Sequence, residues 1–335
     1  MSKDNTQSCC EKLKTSIGGQ ALIEGIMMRG PEKDAVVVRG KDGLSVEVKA
    51  RKLPSENSAL RWPLIRGVYN FFDSQITGVM SLMRSADLSP EEGELQDQPS
   101  KFDQWLEKKL SNQKNQETLL TITVCISLLF SIGLFFVVPM LIGSIFEIWV
   151  SNNLALNLIE GLIRVIILVG YMIFASRIPD MKRVFAYHGA EDRASCCYEE
   201  GVALTVVNVR KQCRFQPRCG SRFLLVVVVL SVLLFSIVST GLLNIFPALA
   251  AMKGTVGYRM IMIAVKLLLL PVLVSIAYEI NRLVGRYDNW FTKLLTAPGL
   301  WMQRITTNEP DDDMIEVGIA AVEAVLPSEE GADRW

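Results

Sequence analysis

Four long apolar runs limit what this chain can fold into. Thr118–Phe146 and Phe223–Met252 contain 29 and 30 residues without a charged side chain, and Leu154–Ala175 and Tyr258–Leu283 are nearly as apolar. About 20 apolar helical residues cross the roughly 30 Å hydrocarbon core of a bilayer, so each run is long enough. With 50% of its 335 residues hydrophobic, the chain is predicted to be an α-helical polytopic membrane protein with four transmembrane helices, and not a soluble protein with buried core helices.

The distribution of basic residues predicts the orientation of these spans. Seventeen Lys and Arg precede the first run and nine lie in the central segment Arg177–Arg222, whereas none lies between Glu147 and Asn153. The positive-inside rule therefore places both termini and the central segment in the cytoplasm of a multi-pass protein in the cell membrane. The basic residues are accounted for by topology and the lipid bilayer, so no nucleic-acid partner is expected. Residues 1–14 are polar, so no cleavable signal peptide is expected.

Composition divides the chain into seven segments. These are a polar tail (1–14), a cytoplasmic β element with an amphipathic helix (15–86), an acidic linker with a short helix (87–117), a first transmembrane hairpin (118–176), a cytoplasmic His/Cys loop (177–222), a second transmembrane hairpin (223–284) and a cytoplasmic C-terminal segment with a helix (285–335). Because four spans enclose little volume, a homo-oligomer is one expected assembly; protein partners are not identified by the sequence.

Three local patterns predict structure outside the spans. Ala35–Arg39 and Leu44–Lys49 are rich in Val and are joined by Gly40-Lys41-Asp42-Gly43, which favours a small N-terminal β-hairpin. Trp62–Ala86 has a broad apolar face, typical of an interfacial or core-packed helix. Pro310–Leu326 is predicted to be a short helix, with three aspartates in its first turn where carboxylates favour the helix dipole.

Two charged residues fall inside the second span. Glu160 and Arg164 are four residues apart and therefore share one helix face. Charges within a bilayer are costly and usually face other helices or a wet cavity. The pair is predicted either to lock one helix against another or to line a polar cavity, as in a small transporter.

The central segment concentrates the candidate chemistry. It holds the only histidine, His188, and four of the seven cysteines, Cys196, Cys197, Cys213 and Cys219. A neutral imidazole with thiolates suits zinc, although no zinc-finger spacing is present and a structural neighbourhood is the alternative. Because cytoplasmic thiols stay reduced, a disulfide framework is not expected.

Several strings in the chain resemble the YqhQ-like family of bacterial integral membrane proteins, a domain of unknown function often labelled a metal-dependent enzyme. The strings are GGQALIEGIMMRGP (18–31), PLIRGV (63–68), RIPDMKRVFAYHGAE (177–191), LTVVNVR (204–210), PRCGS (217–221), LLLLPVLVSIAYE (267–279) and PGLWMQRITTNEPDDDMIEV (298–317). The resemblance extends over nearly the whole chain beyond its N-terminal tail and implies a bacterial inner-membrane location.

The resemblance also implies a metal site with a changed ligand set. The family patterns are H-G-A-E-H and H-P-R-C-G-T; here Asp192 and Gln216 occupy two of the histidine positions. The implied ligands are His188, Asp192 and Cys219, holding zinc or another divalent transition metal, with Glu191 as the base of a metal-assisted hydrolysis at the cytoplasmic face. The extra thiols of the segment are a second hypothetical source of ligands. The alternatives are a non-enzymatic scaffold or regulator that binds cytoplasmic partners, and a small transporter.

Overall fold

The computed structural model describes residues 13–51, 53–55, 58–89, 122, 125–146, 149–150, 152–216, 220–287, 289–329 and 331–334. The chain divides into two compact units, each assembled from separate segments. The first unit comprises Met1–Pro90, Val169–Leu234 and Val265–Trp335, and the second comprises Glu91–Leu168 and Phe235–Ala264. The predicted tail, apart from its last two residues, and almost all of the predicted acidic linker lie outside the described residues.

A four-stranded antiparallel sheet begins the first unit. Its strands are β1 (Gly18–Leu22), β2 (Gly25–Arg29), β3 (Lys33–Gly40) and β4 (Gly43–Ala50), in the order β1-β2-β3-β4. The predicted hairpin is confirmed as β3–β4, with Gly40 paired to Gly43 across the turn and Gly43 at a φ of 115°, which favours glycine. The two preceding strands were not predicted because each is only five residues long and their alternation is obscured by glycines.

Helices make up most of the remaining chain. They are a 3₁₀ turn (Ala59–Arg61), α1 (Ile65–Leu88), α2 (Cys125–Ile145, with a π turn at Gly133–Val137), α3 (Asn153–Ala175), α4 (Pro179–Glu199), α5 (Val206–Lys211), α6 (Gly220–Ile245), α7 (Pro247–Ala251), α8 (Val256–Leu268), α9 (Leu270–Arg286), α10 (Trp290–Thr306) and α11 (Asp312–Val325). The predicted helices at 62–86 and 310–326 are confirmed as α1 and α11, and Asp311 is the N-cap residue of α11.

Among the residues that the structure describes, three helices are long and apolar enough to cross a membrane, or four if the bent pair α8 and α9 is one span. α2, α3 and α6 are the three, in agreement with three of the predicted spans. The fourth was predicted as one continuous helix, but α8 and α9 meet at an angle of 41°. Pro271, in the first turn of α9, lacks a backbone N–H and its ring cannot fit an uninterrupted helix, which accounts for the break.

The central segment is not a loop, which corrects the sequence prediction. Most of it forms α4 and α5. Pro179 begins α4, a position where its fixed φ favours helix and its missing N–H has no cost. Ala186, Ala190 and Ala194 then recur every four residues as a buried stripe of small side chains. The polar composition that suggested a loop belongs to the other sides of this helix.

The core of the first unit lies between one face of the sheet and the helices α4 and α11. Alternate residues of the sheet point into it, including Ile26, Met28 and Val37, all fully buried. The opposite face carries Leu22, Met27, Val36 and Val38 and packs against Leu88 of α1. The sheet therefore separates α1 from α4.

Candidate metal centre on helix α4

Three potential metal ligands lie within one turn of α4. His188, Glu191 and Asp192 occupy positions i, i+3 and i+4, so their side chains emerge from the same face of the helix. One ligand atom from each lies within 4.8 Å of the others. His188 Nε2 is 3.9 Å from Glu191 Oε2 and 3.8 Å from Asp192 Oδ2. These distances are too long for direct hydrogen bonds.

Contacts from distant parts of the chain orient the cluster. His188 Nδ1 lies 3.0 Å from the carbonyl oxygen of Thr306, at the end of α10. Because a carbonyl only accepts, Nδ1 carries the proton, and in the neutral imidazole the Nε2 lone pair faces the two carboxylates. The backbone N–H of Gly19 in β1 donates to Glu191 Oε1 at 3.1 Å. Metal-binding histidines commonly have their second ring nitrogen hydrogen-bonded in this way, and metal-binding carboxylates commonly accept such a second hydrogen bond.

The donor set and its burial fit a divalent cation. The side chains of Asp192, Glu191 and His188 are 0%, 4% and 17% exposed. A metal ion or a protonated His188 would place positive charge beside the two buried carboxylates, which lowers the cost of burying them. Ligands at about 2.1 Å from an ion lie roughly 3.0–3.4 Å apart, so a small contraction of the cluster would coordinate it. One nitrogen and two oxygens suit manganese, iron or zinc.

The segment that follows α10 passes close to the backbone of α4 at Gly189. Asn308 N donates to the carbonyl oxygen of Phe185 at 2.9 Å, which holds the segment after α10 against the helix. A Cβ at position 189 would lie 2.2 Å from the carbonyl oxygen of Asn308. The crossing therefore requires glycine, and it is this crossing that brings Thr306 to His188.

A buried polar network continues along α4 from the cluster. Glu199, fully buried two turns beyond Asp192, accepts a 2.9 Å hydrogen bond from Thr15 Oγ1. Gln216 Nε2 approaches Glu199 Oε2 at 3.5 Å, and the Gln216 carbonyl accepts from Gln303 Nε2 at 2.9 Å. Gln216, which takes a histidine position of the family pattern, thus contacts Glu199.

The cysteines of the central segment differ in whether they are disulfide-bonded or free. Cys219, a predicted ligand, lies outside the described residues. Cys196 is disulfide-bonded, which corrects the expectation that the thiols of this segment stay reduced and removes Cys196 from the candidate thiolate ligands. That expectation rested on the predicted compartment and took no account of geometry. Cys197 is a buried free thiol whose Sγ lies 3.6 Å from the Val202 carbonyl oxygen, and burial raises its pKa. Cys213 is also a free thiol.

An ion pair joins α4 to the turn between β1 and β2. Arg183 donates two hydrogen bonds of 2.6 Å to Glu24, and Tyr187 Oη donates a third at 3.1 Å. The Arg183 hydrogen bonds hold the pKa of the Glu24 carboxyl below its ordinary value. Burial, followed by the charge of Glu24, raises the pKa of Tyr187. Glu24 has a φ of 50°, so the ion pair also stabilises an unfavourable backbone conformation.

The intramembrane candidates Glu160 and Arg164 lie in the second unit. Arg164 is buried, and its Nε donates at 3.0 Å to the carbonyl oxygen of Phe135 in the π turn of α2. Its guanidinium also lies 5.4 Å and 5.6 Å from the ring centroids of Phe136 and Phe235. The Glu160 side chain packs against Gly143. These contacts favour the helix-locking interpretation, and the transporter role stays a prediction.

The sequence predicted His188 and Asp192 as ligands and Glu191 as the base, but not the groups around them. Gly19 and Thr306 lie within strings shared with the family, but nothing in those strings assigns them a role at the site, and Thr15 and Glu199 lie outside the strings. The detectable signal was the helical spacing of polar residues at positions 188, 191, 192, 195 and 199, which becomes visible only when the segment is taken as a helix.

The fold and the cluster together define a mostly helical protein with three or four apolar helices, a small antiparallel sheet and a buried His–Glu–Asp group. The family described as "Protein of unknown function (DUF1385)" matches residues 62–328, and the chain belongs to this family. It is 32% identical over 322 residues to "Uncharacterized protein YqhQ" of Bacillus subtilis (strain 168), covering 94% of this chain and 93% of that relative. The resemblance noted in the sequence is thereby confirmed. No solved structure matches.

Proposed function

We propose that this protein is a membrane-associated enzyme that holds a divalent transition-metal ion, zinc or a chemically similar one, between His188, Glu191 and Asp192. The observation that carries the proposal is the 3.0 Å contact of His188 Nδ1 with the Thr306 carbonyl, which turns Nε2 toward two buried carboxylates. When bound, the ion supplies Lewis-acid chemistry and activates water for hydrolysis.

Each side chain of the cluster has a separate role in the proposed reaction. Asp192, fully buried, serves as an anionic ligand and lowers the net charge of the centre. The Gly19 N–H fixes Oε1 of Glu191, which leaves Oε2 on the His188 side to bind the ion or to accept a proton as the base. His188, as the most exposed member, lies where a substrate would enter. Cys219 as a further ligand remains a prediction.

A second candidate function is partner binding by the sheet, as a scaffold or regulator. β4 is one of the two edge strands, and its side chains Leu44, Val46 and Val48 are 40%, 49% and 48% exposed. Apolar edge strands commonly receive other chains. Deleting residues 18–50 would not test this function, because it removes the sheet on which α4 and α11 pack. The point substitution Val46→Lys, which keeps the core intact, is the appropriate test of partner binding.

Metal content of the detergent-purified protein tests the enzyme proposal. Protein prepared without chelators is analysed by mass spectrometry beside His188→Ala and Asp192→Asn. Asp180→Asn is the matched control because Asp180 lies on the same helix and is exposed. Near-stoichiometric metal is expected in the native protein and the control and not in the two site variants.

A metal-free native protein that binds no zinc, manganese or iron(II) on titration would refute the proposal. Size-exclusion profiles of the variants show whether a loss of metal reflects the site or unfolding. Cys219→Ala, measured in the same series, tests the predicted thiolate ligand.

A further inference from the structure

Helix α1 carries six large apolar side chains on one exposed side. These side chains and their exposures are Ile65 (42%), Phe72 (52%), Ile76 (60%), Val79 (51%), Met80 (61%) and Met83 (41%). At 100° per residue they occupy a stripe about 100° wide along the helix. The buried residues of the helix are Gly67, Gly78, Ser81 and Ser85, and they lie on the opposite side. A helix on a soluble domain has the reverse arrangement.

The first turns of α1 lie against an apolar helix. Arg66 Nε donates to Glu279 Oε1 at 2.6 Å, and Asn70 Nδ2 donates to Tyr278 Oη at 2.9 Å. Glu279 and Tyr278 belong to α9, which forms a candidate span together with α8. The exposed stripe of α1 therefore begins beside a surface whose own composition suits lipid.

The later turns of α1 lie on the sheet. Gln20 Nε2 approaches the carbonyl oxygen of Gly78 at 3.4 Å, and Arg84 Nε donates to Glu47 in β4 at 2.8 Å. In 24 residues, about 36 Å of helix, α1 thus passes from an apolar helix to a β-sheet whose outer strand pairs with it through the charged Glu47. A helix with these two neighbours lies at a boundary between hydrocarbon and water.

Charge and composition agree with this position. Arg66, Asp73 and Arg84 lie on one flank of α1, about 80–100° from the centre of the apolar stripe, and each has an ion-pair partner in the protein. Trp62, just before the helix, is 64% exposed, and tryptophan is enriched at membrane–water interfaces. α1 is not among the helices apolar enough to cross a membrane.

We infer that α1 is an interfacial helix, and that its apolar stripe inserts among the acyl chains of the leaflet on the side of the β-sheet. Its partner is bilayer lipid. The small residues on its inner side let the helix backbone approach the sheet and α9 closely, as in helix packing within membranes. The inference does not depend on the metal proposed for α4.

Spin-label accessibility in lipid vesicles tests the inference. A ketone-bearing amino acid, introduced at position 76 or 80 of the full chain, is labelled without using the native cysteines. The protein is reconstituted into phosphatidylethanolamine–phosphatidylglycerol vesicles. Lys41, exposed in the β3–β4 turn, provides the aqueous control, and Gln75 provides an exposed polar control on the same helix. Only labelled variants that elute as the native protein does are measured.

At Ile76 and Met80 we expect collisions with oxygen to exceed those with a water-soluble nickel chelate several-fold, with the opposite ratio at Lys41. Nickel access at Ile76 equal to that at Lys41 would place α1 in water and overturn the inference. Low access to both reagents would also overturn it, because the stripe would then be covered by protein, such as a second copy of the chain.

Discussion

Replacing Gly189 by alanine should disturb the candidate metal centre without touching a ligand. The added methyl carbon would lie 2.2 Å from the carbonyl oxygen of Asn308, whereas ordinary contact begins near 3.4 Å. The crossing segment must therefore retreat by about 1.2 Å, the difference between these distances. This retreat stretches the 2.9 Å hydrogen bond from Asn308 N to Phe185 and moves the Thr306 carbonyl away from His188.

The expected magnitude combines three contributions. Overpacking costs about 1–3 kcal/mol, and the weakened buried hydrogen bond adds about 1 kcal/mol. The better helix propensity of alanine offsets roughly 1 kcal/mol. We therefore expect Gly189→Ala to lower the free energy of unfolding by about 1–3 kcal/mol. Because loss of a supporting hydrogen bond weakens metal binding, affinity at the site should fall by about 10–100-fold.

Denaturant unfolding in detergent and titration with zinc measure the two effects separately. Gly170→Ala is the control, since Gly170 is also helical and a Cβ there meets nothing within 4 Å. The control should match the native protein or be slightly more stable. If Gly189→Ala unfolds at the native denaturant concentration and binds zinc with native affinity, the Thr306 segment does not orient His188.

Three further substitutions have defined outcomes by denaturant unfolding. Thr15→Val removes the hydroxyl that donates to the fully buried Glu199 and should cost about 1.5–3 kcal/mol; a loss below half of that would contradict the role of this bond. Ser195→Ala removes a buried hydroxyl without a hydrogen-bond partner among the described residues, so stability should be unchanged or rise by up to about 1 kcal/mol. Glu24→Gln should cost at most about 1 kcal/mol at pH 7, since Arg183 is half exposed. Because the folded pKa of Glu24 is lowered, this difference should begin to shrink as the pH falls below the ordinary value of 4.5 and should vanish once the pH is below the lowered pKa; a difference that does not decrease at all in acid would refute the role of this ion pair.

The apolar helices could be predicted because length and hydrophobicity alone decide them. The second span was located as Leu154–Ala175, and the structure has α3 at Asn153–Ala175. The break at Leu269 could have been predicted, since the fourth apolar run contains Pro271. α4 was missed because its stripe of buried alanines carries little hydrophobic signal among many charges.

The candidate site was predictable only as far as local spacing reaches. The family resemblance pointed to His188, Glu191 and Asp192, and their spacing of three and four residues agrees with one turn of a helix. The supporting contacts cannot be predicted in this way, because Gly19 and Thr306 contribute backbone atoms. Every residue type has these atoms, so the sequence does not indicate which residue provides them. The role of Gly189 likewise depends on a chain crossing that only the tertiary structure reveals.

The separation between ligands and supports has a consequence for how the chain is held together. The candidate ligands are local, but the supporting contacts come from 172 and 118 residues away, at Gly19 and Thr306. If these contacts raise the affinity of the site for an ion, thermodynamic linkage requires that a bound ion stabilise the same contacts by an equal free energy. The segments that provide the contacts would then dock more tightly on α4. Removing the ion should then leave α4 helical while hydrogen exchange accelerates at the amides of Gly19 and Asn308. A bound ion would thereby stabilise the packing of both β1 and the segment after α10 against α4.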